Sequence, residues 1–153
     1  MSLLAAIRPD DWNLPLFLHI LAAMVLVGAL VLVATSLAGA WRGGSAAAVR
    51  LGFRSLLIAA IPAWIVLRAT AEWLVSEENL DDESPGWVDA GYMISDTSLL
   101  LLIAATVCAG VAARRADRGE VRGGGLSRAV VVLVGIALVA YVVAIWAMAA
   151  KPS

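Results

Sequence analysis

Residues 55–75 read SLLIAAIPAWIVLRATAEWLV. The run has about the twenty residues that a helix needs to cross a hydrocarbon core. Inside it, four residues apart, stand an arginine and a glutamate, Arg68 and Glu72. Each charge costs a few kcal/mol or more within a spanning segment, so such groups face the bundle interior and pair. The run therefore makes sense as one span of a bundle whose other spans supply partners. Three further apolar runs, near 14–38, 91–113 and 129–149, provide them.

Composition agrees. The 153 residues are 62% hydrophobic, with a mean hydropathy of +0.92, where soluble domains sit near half apolar. Backbone groups in lipid must be satisfied within their own segment, which makes all of these runs helices. No stretch between them is long enough to bury a core of its own. The expected architecture is all-α, a single membrane domain over residues 1–153 forming an integral four-helix bundle.

Charge placement orients it. Arg42, Arg50 and Arg54 lie in the first connector, and Arg114, Arg115, Arg118, Arg122 and Arg128 in the third; together they are eight of the eleven basic residues. The opposite ends carry Asp10, Asp11, Glu77, Glu78, Asp81, Asp82, Glu83 and Asp89. The positive-inside rule puts the arginine connectors in the cytoplasm, with both termini and the acidic 76–90 loop outside. The same rule accounts for the arginines without a nucleic-acid partner. Ala38-Gly39-Ala40 resembles a signal-peptide cleavage site, but the run before it is too long for a signal core.

Local signals fill in the rest. AWRGGSAAAVR is expected as a connector with a glycine hinge, Pro62 as a kink in helix two, and RRADRGEVRGGG as a linker. Trp12, Trp41, Trp73, Trp87 and Trp146 fall near span boundaries, as in an aromatic belt, while Trp64 is mid-span and expected between helices. The third run repeats small residues at Ala105, Ala109 and Ala113, a spacing that lets helices approach closely. The lone Cys108 reads as a small buried apolar residue.

The candidate site follows from depth. His19 lies about five residues below the outer boundary, or roughly 7 Å along a helix. Glu72 and Arg68 lie about three and seven residues deep, and Asp96 about five. Tyr141 and Trp146 of the last run reach the same layer. The expectation is that Arg68 sits among Glu72 and Asp96, with His19 completing a hydrogen-bonded network and Tyr141 beside it, open to the outside.

Three chemistries fit such a cluster. A titrating carboxylate, Glu72 or Asp96, would serve a proton or ion path. His19, Glu72 and Asp96 are candidate metal ligands, with Met93 or Met148 as soft additions. A haem or quinone pocket is the third; one histidine excludes bis-histidine haem ligation within one chain. The only lysine is Lys151, so no span can hold a retinal Schiff base, and His-Glu-x-x-His, Cys-x-x-Cys and phosphate-loop motifs are missing from the sequence. Ser95 and Ser98 flank Asp96, but nothing marks either as a nucleophile, and no enzyme activity is expected.

The first run, LPLFLHILAAMVLVGALVLVA, has an outer histidine, His19, then the pair Ala22-Ala23 and then Gly28. In this, and in Pro62 of the second run, the chain resembles small bacterial four-helix membrane proteins of the DUF2269-like and CopD-like groups. That resemblance covers the first half of the chain. It implies the four-helix fold, a bacterial cytoplasmic membrane and copper handling at the outer face. The expected role is ion, proton or small-solute handling by a homo-oligomer in the lipid bilayer. The alternative is a structural or accessory subunit of a membrane complex that docks a partner, metal or cofactor.

Overall fold

The computed structural model describes residues 13–43, 45–77, 86–120 and 124–149, apart from the side chains of Trp87, Met148 and Ala149. Trp12, Asp10, Asp11, Lys151 and most of the acidic loop, residues 78–85, lie outside the described residues, as do the side chains of Trp87 and Met148. The chain forms α1 (Asn13–Gly43), α2 (Ala46–Ser55), a π-helical turn (Leu56–Ala60), α3 (Ile61–Glu77), α4 (Gly86–Asp117) and α5 (Gly125–Ala149). The α2 helix, the π turn and α3 run on as one span. With α1, α4 and α5 this gives, among the described residues, four helices long and apolar enough to cross a membrane.

Inside and outside are both apolar. Phe17, Met24, Ile58, Leu100 and Trp146 are exposed, whereas Leu26, Leu30, Val33, Leu56 and Leu102 are fully buried. Hydrophobicity cannot choose between the two faces, because lipid tails are as apolar as leucine. Size chooses instead. Ala22, Ala29, Ala60, Ala63, Ala105, Ala109, Ala113 and Ala137 are all buried at helix contacts. The small-residue ladder of the third run is thus used for packing, and Ala22 and Ala29 put the His19 side of α1 at an interface.

The helices are longer than the sequence suggests. The first does not stop near residue 38 but continues through Trp41 to Gly43, and α2 begins at Ala46, so helix takes over most of the expected connector. The reason is Ser45, whose hydroxyl accepts the Ala48 amide at 3.3 Å and starts α2 at once. Likewise α4 runs past Arg114 and Arg115 to Asp117, which pairs with Arg50 of α2 at 2.9 Å. It ends on Gly119 at φ 77, where the Glu120 amide reaches the Arg115 carbonyl and the Gly119 amide that of Ala116. That is a Schellman cap, and it needs a residue that tolerates positive φ.

The second span is re-aimed at Pro62. The Ile61 amide bonds the Leu56 carbonyl, five residues back, in the turn directly before the proline. A proline has no amide to donate and its ring crowds the carbonyl four residues earlier, so the wider turn relieves both problems. Before the turn, α2 packs on α1 and α4; after it, the backbone of α3 keeps to α1 and stands off α4, which only long side chains reach. The bundle is consequently closed at the end bearing the arginines and parted at the other, between α3 and α4.

Candidate functional site

The parting leaves a cavity of about 320 Å³ bordered by all four spans. Its lining is mostly aliphatic, with Leu16 and Ile20 of α1, Leu74 and Val75 of α3, and Ile94 and Ile145 from α4 and α5. Five polar side chains interrupt this surface: His19, Arg68, Tyr92, Ser95 and Tyr141.

Arg68 organises the rim. Its guanidinium is bonded to Glu72, one turn along α3, and its Nε lies 3.4 Å from Asp96 on α4. It also stacks 4.2 Å from the ring centroid of Tyr92, whose hydroxyl donates to the other oxygen of Glu72 at 3.2 Å. One cation therefore meets two carboxylates and an aromatic face. The set carries one excess negative charge. The carboxylates are not buried as expected: the side chains of Glu72 and Asp96 are 57% and 63% exposed, against 26% for Arg68. The ions sit at the mouth, and the interior of the cavity is left to neutral groups.

His19 does not complete the Arg68 network. Its Nδ1 lies 3.2 Å from the Thr70 hydroxyl, which itself donates to the Val66 carbonyl at 2.8 Å. An antiparallel neighbour brings Thr70 opposite His19, while Arg68 is turned from that contact towards α4. On the far wall Tyr141 is 7% exposed, with its hydroxyl 2.5 Å from Ser98 Oγ. Ser98 donates to the Ser95 carbonyl at 2.7 Å, and that carbonyl also accepts the Trp64 indole at 3.1 Å. The Ser95 hydroxyl is buried and has no hydrogen-bond partner among the described residues. Buried polar atoms left unpaired are uncommon and costly.

Of the residues singled out from sequence, Arg68, Glu72 and Asp96 come together, and His19 and Tyr141 line the same cavity on separate bonds. Trp146 is 70% exposed and takes no part. Tyr92 and Thr70 do not stand out in the sequence, and Ser95 and Ser98 stand out there only as possible nucleophiles beside Asp96. Tyr92 carried a signal, since it precedes Asp96 by four residues and so shares its helix face. The expected metal set of His19, Glu72 and Asp96 does not assemble. Among the described residues no three His, Cys, Asp or Glu side chains gather as a metal site, because His19 turns to Thr70 and the carboxylates to Arg68. Met93, offered as a soft ligand, is 72% exposed.

The arrangement suits an apolar body with a small polar head, seated between aliphatic walls and capped by the ion cluster. No family model matches the chain, and no curated protein or solved structure matches it either, so its function rests on this geometry.

Proposed function

We propose that the chain is a multi-pass protein of a bacterial cytoplasmic membrane that binds a small, largely apolar molecule in a pocket entered from the outer leaflet. It acts as a binding or accessory component rather than as an ion pathway. The observation that carries this is the cavity of about 320 Å³, at the small end of the roughly 300–1,000 Å³ typical of ligand pockets and, like them, apolar with few polar groups. Packing below it supports the same reading. Leu26, Leu30, Ala60, Leu102, Ala105 and Val134 form a fully or almost fully buried apolar layer between the cavity and the arginine end. An ion crossing between these six side chains would meet only apolar atoms.

The outward orientation is supported by the arginines, which cluster at the closed end; the positive-inside rule then places the cavity, both termini and the acidic loop outside. The likeness of the first two spans to DUF2269-like and CopD-like proteins supports the bacterial setting. Copper handling is not part of the proposal, since the candidate ligands turn to other partners. The test is purification in mild detergent followed by organic extraction and mass spectrometry. Wild-type protein is expected to retain a small apolar molecule that an Ala71→Phe variant, with a ring built into the cavity, leaves behind. Proteoliposomes are expected to show no proton or cation flux. Flux abolished by Glu72→Gln or Asp96→Asn would overturn the proposal in favour of an ion pathway.

A further inference from the structure

The hydrogen-bond bookkeeping of the cavity walls deepens this reading, on which it rests. We infer that the pocket selects a ligand whose polar head is a neutral hydroxyl, such as a phenol or a long-chain alcohol, over ethers, carbonyls and carboxylates of the same size. A threonine hydroxyl has one hydrogen, and that of Thr70 points at the Val66 and Leu67 carbonyls, at 2.8 and 3.1 Å. With that hydrogen directed at the two carbonyls, we assign the donor of the Thr70 contact to His19 Nδ1, on the side where the ring also meets the Leu67 backbone. A neutral imidazole has a single N–H. Spent on Thr70, it leaves Nε2 as a bare acceptor on a ring that borders the cavity.

The opposite wall repeats the logic. Ser98 spends its one hydrogen on the Ser95 carbonyl, so the short contact with Tyr141 is donated by the phenol, and the Tyr141 oxygen keeps only lone pairs. Tyr92 spends its hydrogen on Glu72, and Arg68 directs donors at Glu72 and Asp96. Acceptors are left over on two walls. The remaining donors are the Ser95 hydroxyl, buried and without a partner among the described residues, and, at the mouth, the further N–H groups of Arg68 that neither Glu72 nor Asp96 takes.

A hydroxyl head matches both kinds of vacancy. It donates to His19 Nε2 or to the Tyr141 oxygen, and it accepts from Ser95. An ether or ketone can only accept, and leaves the bare acceptors desolvated, which is the more costly outcome. A carboxylate could take the further N–H groups of Arg68 only by standing beside Glu72 and Asp96 on the same cation, and it would leave the acceptors on both walls unmet. An ammonium head would lie against the Arg68 guanidinium.

The chain has one histidine, so its imidazole gives a single pair of ring nitrogen resonances. The test uses full-length protein with ¹⁵N-labelled histidine in detergent micelles, and 4-pentylphenol, 4-pentylanisole and 4-pentylbenzoate as probes. The ligand-free spectrum is expected to show the Nδ1–H tautomer. The phenol is expected to shift Nε2 and to bind about tenfold more tightly than its methyl ether, the worth of one hydrogen bond, with the benzoate weaker still. Ala71→Phe is expected to exclude all three. An Nε2–H tautomer overturns the inference. So do equal affinities for phenol and ether that Ala71→Phe abolishes, although that result leaves the pocket itself standing. No binding by any probe to the wild-type chain overturns both.

Discussion

The two ends of the bundle are made from the same four helices and the same kinds of residue, yet one is shut and the other parted. At the arginine end small residues are matched by large neighbours. A Cβ on Gly52 would stand 3.0 Å from Leu37 Cγ, and one on Gly110 would stand 3.1 Å from the Phe53 ring. Gly124 admits Trp41 so closely that a Cβ there would lie 2.5 Å from its ring, and Arg128 covers the same indole. At the other end Ala23 and Ala71 are small too, but the backbone of α3 stands off α4 there and the two alanines border the cavity instead of a close contact. Small residues do not of themselves tighten a membrane bundle. They set how near two helices can come, and the backbone decides whether the approach is taken.

Substitutions at the two ends should therefore differ in their cost. Gly52→Leu at the shut end should have the largest effect, about 1–3 kcal/mol of destabilisation from overpacking against Leu37, read as a lowered unfolding midpoint in denaturing detergent. A midpoint as high as that of the wild type would mean that contact there is not limiting. The parted end should respond less. Tyr141→Phe removes the donor to Ser98 and should cost about 1 kcal/mol in the same titration, without changing the helical content seen by circular dichroism. Smallest of all, Asp96→Asn takes one partner from Arg68 at a rim where the carboxylate is mostly exposed. Exposed ion pairs contribute roughly 0–1 kcal/mol, so a shift larger than that would show the cluster to be more deeply desolvated than its exposure implies.

Much of the fold was legible because it rests on local quantities. Span length, apolar content and the arginine asymmetry are read directly along the chain. So was the meeting of Arg68, Glu72 and Asp96, since charges in apolar helices at one depth have few other partners. What escaped reading depended on rotation between helices. Depth alone put His19 with the ions, but a neighbour's phase gave it Thr70. Ser98 and Tyr141 find each other across forty-three positions, and neither advertises this. Helix ends were misjudged where a serine hydroxyl or a left-handed glycine, rather than hydropathy, sets the boundary.

The π turn before Pro62 has one more consequence. It takes up one residue beyond what an α turn would use, so everything downstream is offset by a residue's worth of rotation, about 100°. Arg68 reaches Asp96, and Thr70 reaches His19, only with that offset in place. Deleting a single alanine from this turn would leave every span as long and as greasy as before, while swinging the polar side chains of α3 to a different compass bearing. Two chains could thus share hydropathy profiles almost to the residue and differ entirely in whether they own a binding site.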